Sequence, residues 1–290
     1  HRQRELAARR EVAVGGWPAF PGAHLVLISV DALRADRLDS IRAGGRDLTP
    51  RLDELAARAA VFERAYCTAP HSSFSITSLH TSRDLHEEAA MGRALEHPTL
   101  ADVLGERGYE SVAFYTNGIF HTAGEQVGHY RREELGFDRA HHGAPAPEEL
   151  TDHVLGQVEA LARRDEPPAF LWVHYFNVHE PYEDTRYGTS PADRYDGEVA
   201  AADAAIGRLL AGIESRLERE VVVAVTADHG EEFADHGGYY HGSSLYDEQV
   251  RVPLIVRAPG CEPRRVAAPV SLLDVAPTLL GLLGVAPPAG

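Results

Sequence analysis

The fold is decided by VVVAVTADHGEEFADHGGYYHG, residues 221–242. Its apolar run, VVVAV, is typical of a buried strand, and the run ends just before Asp228 and His229. An earlier segment, VLISVDALR at residues 26–34, has the same pattern, an apolar run followed by an acid, Asp31. In open α/β sheets, ligands gather in the crevice outside the carboxyl ends of the strands. The two segments therefore predict one site with two carboxylates and an imidazole, which is a candidate metal site.

The composition indicates one large domain and argues against a nucleic-acid partner. The chain has 290 residues, of which 44% are hydrophobic and 25% charged, as is ordinary for globular proteins. No apolar run reaches the roughly 18 residues that a membrane span needs. The formal net charge of -16 argues against nucleic acid, because phosphate backbones are bound by clustered Lys and Arg. Cys67 and Cys261 form no spacing motif, so they could pair or stay free.

Strand-like and helix-like segments alternate along the chain. This alternation predicts an α/β fold with a mostly parallel central sheet flanked by helices on both faces. The predicted strands are Leu25 to Val30, Ser111 to Tyr115, Phe170 to His174, Val221 to Val225 and Val252 to Val256. Helices are expected to begin after three N-cap residues, Thr49, Thr99 and Ser190. Two segments, residues 121–147 and 233–244, are predicted as loops of functional interest.

A further element of the predicted site is CTAPHSSFSITSLHTSR, residues 67–83, where a Pro-containing turn leads into helical spacing of apolar residues. We expect Ser72 at the N-terminus of this helix. Unpaired backbone N–H groups and the positive end of the helix dipole favour an alkoxide or a phosphoryl oxygen there. The competing interpretation is that Ser72, Ser73 and Ser75 are only N-cap serines.

Together, the motifs resemble the alkaline phosphatase superfamily and, within it, the sulfatase-like proteins. Five motifs fall in the family's order: VLISVDALRADRL, TAPHSSFSITSLHTS, FLWVHYFNVHEPY, ADHGEEFADHG with HGSSLYDEQVRVPLIV, and SLLDVAPTLLGLLGV. The resemblance runs from Leu25 to about Pro288. It implies a sulfatase-like catalytic domain over residues 23–290, preceded by a charged lead-in segment over residues 1–22. It also implies that the C-terminal subdomain common in sulfatases is short or absent.

Carried over residue by residue, the resemblance implies a metal site with a serine nucleophile. It makes Asp31, Asp228 and His229 metal ligands, and it makes Ser72 both a ligand and the nucleophile. Two carboxylates, one hydroxyl and one imidazole form a small ligand set that includes nitrogen, whereas calcium prefers six to eight oxygens. We therefore expect zinc or manganese, with calcium as the alternative. The competing interpretation of Asp31 is that it caps the turn after its strand.

The resemblance also implies substrate contacts around this centre. His179 and His241 would act as catalytic residues that face the substrate, or they would hold a second metal ion. Thr116 and Asn117 match the place where sulfatases carry a substrate-contacting lysine, and we take them as substrate-binding residues. A competing interpretation of His179 is that it packs under the residues that follow it.

Two features depart from the sulfatase pattern. Sulfatases that use formylglycine carry Cys or Ser followed by x-Pro-x-Arg, whereas this chain reads Ser72-Ser73-Phe74-Ser75-Ile76. Formylglycine is therefore not expected, and an unmodified serine favours phosphate or phosphonate esters over sulfate esters. In addition, Ala32 stands where many sulfatases have a second metal-binding aspartate.

These features predict a metal-dependent hydrolase of sulfate, phosphate or phosphonate esters that works through attack by metal-bound Ser72. Its substrate would be an anionic ester, either a small molecule or linked to a lipid. One alternative is a phosphoryl transferase of the phosphoethanolamine type, because the twelve-residue separation of His229 and His241 resembles that in such relatives. The other is a catalytically silent binding module. We expect an extracytoplasmic location, periplasmic or membrane-tethered, and the sequence indicates no oligomeric state.

Overall fold

The computed structural model describes residues 18–41, 45–84, 95, 97–116, 135–143, 146–163 and 167–288. The strands in these ranges are β1 (His24–Val30), β2 (Ala60–Phe62), β3 (Ala65–Tyr66), β4 (Glu110–Tyr115), β5 (Arg139–His142), β6 (Ala169–Tyr175), β7 (Val221–Ala227), β8 (Glu232–Phe233), β9 (Tyr239–Tyr240), β10 (Arg251–Val252), β11 (Leu254–Arg257), β12 (Arg264–Val266) and β13 (Val270–Ser271). The helices are α1 (Pro50–Ala56), α2 (Ser72–Thr81), α3 (Leu100–Gly105), α4 (Pro147–Ala162), α5 (Pro191–Arg216), α6 (Asp247–Val250) and α7 (Val275–Leu282).

A mostly parallel sheet of eight strands forms the centre of the molecule, in the order β12-β2-β11-β7-β1-β6-β4-β5. Strand β1 lies in the middle and pairs in parallel with both β6 and β7. All seven residues of β1 are buried, which explains its continuous apolar run, because helices cover both faces of such a sheet. The predicted fold class is therefore confirmed. Two of the pairings, β11 with β7 and β11 with β2, are antiparallel.

The predicted strand Val252 to Val256 is wrong as one element. It is divided at Pro253 into β10 and β11, which lie in different sheets. Proline has no N–H to donate to a ladder, so a strand is readily interrupted there. The short β10 pairs with β3 in a three-stranded sheet, whereas β11 joins the central sheet beside β7.

All three predicted helix starts are confirmed, because α1, α3 and α5 begin directly after Thr49, Thr99 and Ser190. Thr99 forms a capping box with Asp102, and the Ser190 hydroxyl accepts a hydrogen bond from the Asp193 N–H at 3.1 Å. Among the described contacts, Thr49 makes no side-chain bond to the backbone of α1. Asp203 of α5 takes over this role, since its carboxylate accepts the N–H groups of residues 51 and 52 at 3.0 and 2.8 Å.

Several smaller predictions can also be compared with the structure. Cys67 and Cys261 form no disulfide, and burial together with the charge of Asp228 raises the pKa of Cys67 to about 12. Within the predicted lead-in segment, Phe20 is buried, and its N–H donates to the Leu282 carbonyl at 2.6 Å. No helix within the described ranges has both the length and the apolar character needed to span a bilayer.

Candidate functional site

The carboxyl ends of β1 and β7 bring Asp31 and Asp228 together. Val30 lies opposite Ala227 in the parallel register, so each aspartate is the next residue after a paired position. Both side chains are fully buried. Asp228 Oδ1 accepts the N–H of Ala32 at 3.1 Å and that of His229 at 2.9 Å. The backbone of the β1 turn thus holds the Asp228 carboxylate in place.

Each aspartate keeps one oxygen without a hydrogen bond. Within the described residues, Asp31 Oδ1 and Asp228 Oδ2 are buried and have no hydrogen-bond partner, and we call them the unpartnered oxygens. Burying a carboxylate oxygen without a partner is costly, so such atoms in a protein usually face a cation or an ordered water. The unpartnered oxygens are therefore the first indication, from geometry alone, that this site takes a metal ion.

His229 directs a ring nitrogen into the same space. Its Nδ1 lies 2.8 Å from the Gly230 carbonyl oxygen, which can only accept, so Nδ1 carries the hydrogen. In the neutral ring the lone pair is then on Nε2. This atom lies 3.7 Å from Asp31 Oδ1 and 3.5 Å from Asp228 Oδ2, the two unpartnered oxygens. The backbone turn thus directs Nε2 of His229 toward the two unpartnered oxygens, in the way that metal-binding histidines are commonly oriented.

Gly230 is required by close packing of this turn. A Cβ at this position would overlap the carbonyl oxygen of Glu248. The Gly230 N–H donates to the Gln249 carbonyl at 2.8 Å, which fixes the turn against α6. Because the Gly230 carbonyl sets the hydrogen on the His229 ring, this packing also orients the imidazole.

Ser72 lies at the N-terminus of α2, as predicted, but as the first helical residue and not as the cap. The N-cap is His71, in extended conformation. The Ser72 hydroxyl lies 3.3 Å from Asp31 Oδ2 and 3.0 Å from His229 Nε2. The interpretation of Ser72 as an N-cap serine is therefore wrong, because its hydroxyl faces the candidate metal site and not the backbone of its own helix.

The donor set fits a divalent cation. Asp31, Asp228 and His174 each offer one ligand atom, and these three atoms lie within 4.8 Å of one another. His229 Nε2 and the Ser72 hydroxyl border the same space. Burial alone would raise the pKa of Asp31, but the hydrogen bond with His174 and the charges of nearby histidines hold it well below its usual range. The Asp31 carboxyl thus favours its ionised form, which is the form that a cation would require.

His174 is a site residue that the sequence analysis missed. It belongs to β6, directly beside β1, and its Nε2 lies 3.3 Å from Asp31 Oδ2. The sequence feature that could have indicated this role is a histidine inside an otherwise apolar run, FLWVHY. This run forms the strand next to β1, which ends at Asp31.

His241 lies beside His229, with ring centroids 4.2 Å apart. Its Nδ1 is 2.9 Å from the carboxylate of Glu231, a fully buried residue that the sequence analysis also missed. The other oxygen of Glu231 accepts a hydrogen bond from the Tyr182 hydroxyl. Burial lowers the pKa of His241, but the hydrogen bond to Glu231 and the negative charges of Glu231, Asp31 and Asp228 outweigh it, so the pKa is raised.

His179 completes a cluster of three imidazoles, with its ring centroid 5.1 Å from that of His241. Its Nδ1 lies 2.7 Å from the Glu180 carbonyl oxygen, so the lone pair of the neutral ring is on Nε2. The ring stacks on Phe176 at 4.7 Å.

The predicted substrate-binding pair is described only in part. Thr116 follows β4 at the same edge of the sheet, is buried, and has no hydrogen-bond partner for its hydroxyl within the described ranges. Asn117 lies outside the described residues, as does much of the predicted loop at residues 121–147.

Comparisons with known proteins support the resemblance to sulfatases. A family model described as Sulfatase matches residues 23–285. The uncharacterized sulfatase YidJ of Escherichia coli (strain K12) is 36% identical over 86 residues, which is 30% of this chain and 17% of that protein. The chain thus spans less than a fifth of this curated relative.

Solved structures with the same fold include a protein in the alkaline phosphatase superfamily from Vibrio parahaemolyticus. It has a TM-score of 0.72 and 24% identity, over 92% of this chain and 67% of that one. The C-terminal periplasmic domain of phosphoethanolamine transferase EptC from Campylobacter jejuni has a TM-score of 0.71 and 14% identity, over 92% and 90% of the two chains.

Proposed function

This chain belongs to the sulfatase family, and on that premise we propose that it is a metal-dependent hydrolase of sulfate, phosphate or phosphonate esters. One observation carries the proposal. The Ser72 hydroxyl, on the first residue of α2, lies 3.3 Å from Asp31 Oδ2 and 3.0 Å from His229 Nε2, beside the two unpartnered oxygens. A serine so placed is a candidate nucleophile next to a cation site.

The proposed ligands of the metal are Asp31, Asp228, His229 and Ser72. When bound there, a divalent cation supplies positive charge that favours the serine alkoxide and attracts the anionic ester. The mixed oxygen and nitrogen donors favour zinc or manganese over calcium, which prefers more oxygens. The buried position of Asp31 and Asp228 supports tight binding, because a cation relieves the cost of their burial.

The chain's own residues account for the first reaction step. The Ser72 oxygen attacks phosphorus or sulfur, and the ester bond to the leaving group breaks. Two atoms within 3.3 Å of the Ser72 oxygen could accept its hydrogen, Asp31 Oδ2 and His229 Nε2. A ligand nitrogen has no lone pair left, so Asp31 Oδ2 is the acceptor if His229 holds the cation. Water then hydrolyses the seryl ester. His179 and His241 lie where they would contact the oxygens of the transferred group or the leaving oxygen.

Among the three ester classes, phosphate and phosphonate esters fit best. Release of sulfate from formylglycine depends on the aldehyde hydrate, and the signal for that modification is missing at residues 72–76. The position of its arginine is taken by Ile76, which is buried in the core. An unmodified serine ester is instead released by attack of water on the transferred group.

The test is turnover of an aryl phosphate, an aryl phosphonate ester and an aryl sulfate after reconstitution with zinc or manganese. We expect Ser72→Ala to abolish turnover and Ser73→Ala, the adjacent serine on the same helix, to retain it. Both variants are expected to keep the wild-type circular dichroism spectrum. Wild-type turnover by Ser72→Ala would refute the assignment of the nucleophile. Binding of metal without turnover of any ester would favour the silent binding module.

A phosphoryl transferase is the second candidate, supported by the twelve-residue separation of His229 and His241. It predicts that an added alcohol acceptor competes with water for the transferred group, which product analysis would detect.

The substrate of either activity would be a small or lipid-linked anionic ester. We also propose residues 23–290 as the catalytic domain after a lead-in over residues 1–22, and an extracytoplasmic location. The likeness to a periplasmic domain is in keeping with that location.

A further inference from the structure

We propose that His174 is a positioning residue that donates a hydrogen bond from Nε2 to Asp31, and that Trp172 and Ser29 fix the ring in the tautomer that allows this. The inference rests on the proposed metal site, since it assigns the role of a residue beside that site. It separates two roles that the position of His174 alone leaves open, a metal ligand and a hydrogen-bond donor to a metal ligand.

A chain of three hydrogen bonds connects Trp172 to Asp31 through Ser29 and His174. The Trp172 Nε1 donates to the Ser29 hydroxyl at 3.0 Å, and this hydroxyl lies 2.8 Å from His174 Nδ1. His174 Nε2 lies 3.3 Å from Asp31 Oδ2. All four side chains are fully buried, and Ser29 lies directly opposite His174 in the register of β1 and β6. We call Trp172, Ser29 and His174 the relay.

The direction of each hydrogen bond in the relay follows from the chemistry of its members. An indole nitrogen can only donate, so Trp172 occupies a lone pair of the Ser29 oxygen. The hydroxyl hydrogen of Ser29 cannot point toward that N–H, so it must find an acceptor in another direction. Within the described residues, the remaining partner of this hydroxyl is His174 Nδ1. The hydrogen therefore points at Nδ1, which must present its lone pair.

The tautomer of His174 is fixed by this step. A neutral imidazole with a lone pair on Nδ1 carries its hydrogen on Nε2, which faces the carboxylate of Asp31. The opposite tautomer would leave the Ser29 hydrogen without an acceptor and would place the Nε2 lone pair against a carboxylate oxygen. The first change leaves a buried hydroxyl hydrogen without a partner, and the second loses the hydrogen bond to Asp31, in an environment where unmade bonds are most costly.

His174 is then excluded as a ligand although it lies near enough to be one. Its ligand atom is within 4.8 Å of those of Asp31 and Asp228. In the tautomer that the relay sets, however, the Nδ1 lone pair is used by Ser29 and Nε2 has none to offer. Its hydrogen bond engages Asp31 Oδ2 and leaves Asp31 Oδ1, one of the unpartnered oxygens, for the cation. Hydrogen bonds of this kind orient ligating carboxylates in known metal sites.

The direct test is nitrogen-15 NMR of the histidine rings in the zinc-loaded protein near neutral pH, with the His174 signals assigned by their loss in His174→Gln. We expect a hydrogen on Nε2 and a hydrogen-free Nδ1. A hydrogen on Nδ1, or zinc bound to Nε2, would overturn the proposal. If the protein binds no divalent cation, the proposed metal site fails, and the same spectrum of the metal-free protein still tests the relay by the same criterion.

Metal affinity supplies a second, independent measurement. His174→Gln retains an amide N–H near the position of Nε2, whereas His174→Ala has no donor. We expect Gln to keep zinc affinity within about threefold and Ala to lower it by about 10- to 100-fold, the range found for outer-shell partners. His229→Gln, which removes a proposed ligand, is the matched comparison. An equal loss of affinity in His174→Gln and His229→Gln would overturn the positioning role.

Trp172→Phe tests the origin of the relay. Without the indole N–H, the Ser29 hydroxyl hydrogen can turn away from Nδ1 into the direction that the indole hydrogen had blocked. The Ser29 oxygen can then accept from Nδ1 without this competition, so we expect the Nδ1–H tautomer to become populated in this variant. An unchanged tautomer in a folded Trp172→Phe protein would show that Trp172 does not set it. If the variant does not fold, the wild-type spectrum still decides the proposal.

Discussion

Removal of the metal should lower the thermal stability of this protein by an amount that can be estimated in advance. A ligand that binds only the folded state at 100 times its Kd adds about 2.7 kcal/mol to the free energy of unfolding. An unfolding entropy of about 2.1 cal/mol/K per residue amounts to about 0.6 kcal/mol/K for a chain of 290 residues. Zinc or manganese at that concentration should therefore raise the Tm of the metal-free protein by about 4 °C.

Asp228→Asn should abolish this rise without destabilising the metal-free protein. The amide oxygen can still accept the N–H groups of Ala32 and His229, which Asp228 Oδ1 accepts now. The NH2 group then replaces Oδ2, one of the two unpartnered oxygens. The variant thus loses a buried negative charge that only a cation would offset, so its metal-free Tm should equal or exceed that of the wild type.

Differential scanning calorimetry after chelation, with and without added metal, measures both effects. Asp203→Asn is the matched control, because Asp203 is an equally buried acid that caps α1 and has no contact with the site in the described structure. It should keep the rise of about 4 °C. A metal-induced rise that survives in Asp228→Asn would refute the assignment of Asp228 as a ligand.

Two further outcomes follow from buried contacts. Gly230→Ala should lower the free energy of unfolding by about 1 to 3 kcal/mol, because its Cβ would overlap the Glu248 carbonyl. Gly281→Ala in α7 is the control, since a Cβ there meets no other atom within 4 Å and should cause no such loss. Equal urea midpoints for the two variants would contradict this expectation. Burial raises the pKa of Asp203 from 3.8 to about 6. The folded state thus binds the proton more tightly, and stability present below pH 4 is lost as the pH rises through 6. Relative to Asp203→Asn, the wild type should lose about 2 kcal/mol between pH 4 and 7 in urea titrations, and parallel pH profiles would disprove the shift.

The strand ends of the site could be predicted because they depend on one local pattern. Buried parallel strands are apolar throughout, so the first acid after each run marks its carboxyl end. The structure confirms that the two acids lie side by side, since Val30 and Ala227 are paired and the next residues are Asp31 and Asp228. The helix at Ser72 could be predicted for a similar reason, from a Pro-containing turn followed by helical spacing.

The remaining partners could not be predicted because they depend on contacts between distant segments. Ser29 and His174 are 145 residues apart and meet only through the register of β1 and β6. Asp203 lies on the long helix α5, where an acid ordinarily faces solvent, but it is 2% exposed because α1 packs on α5 and needs an acceptor there. In both cases a polar residue in an ordinary local pattern acquires its role from the element packed against it.

The two departures from the sulfatase pattern compensate each other in charge. Ala32 stands where a further metal-binding carboxylate is common, and Ile76 stands where the formylglycine signal has its arginine. Ala32 is fully buried at a backbone φ of 54°, and it contributes its N–H, not a carboxylate, to Asp228. A negative and a positive charge are thus missing together. In the proposed site, one divalent cation would balance the carboxylates of Asp31 and Asp228, and the buried carboxylate of Glu231 is paired with His241. The imidazoles of His179 and His241 would then meet the anionic ester. A site balanced in this way needs no arginine, which is consistent with an unmodified Ser72 as the nucleophile.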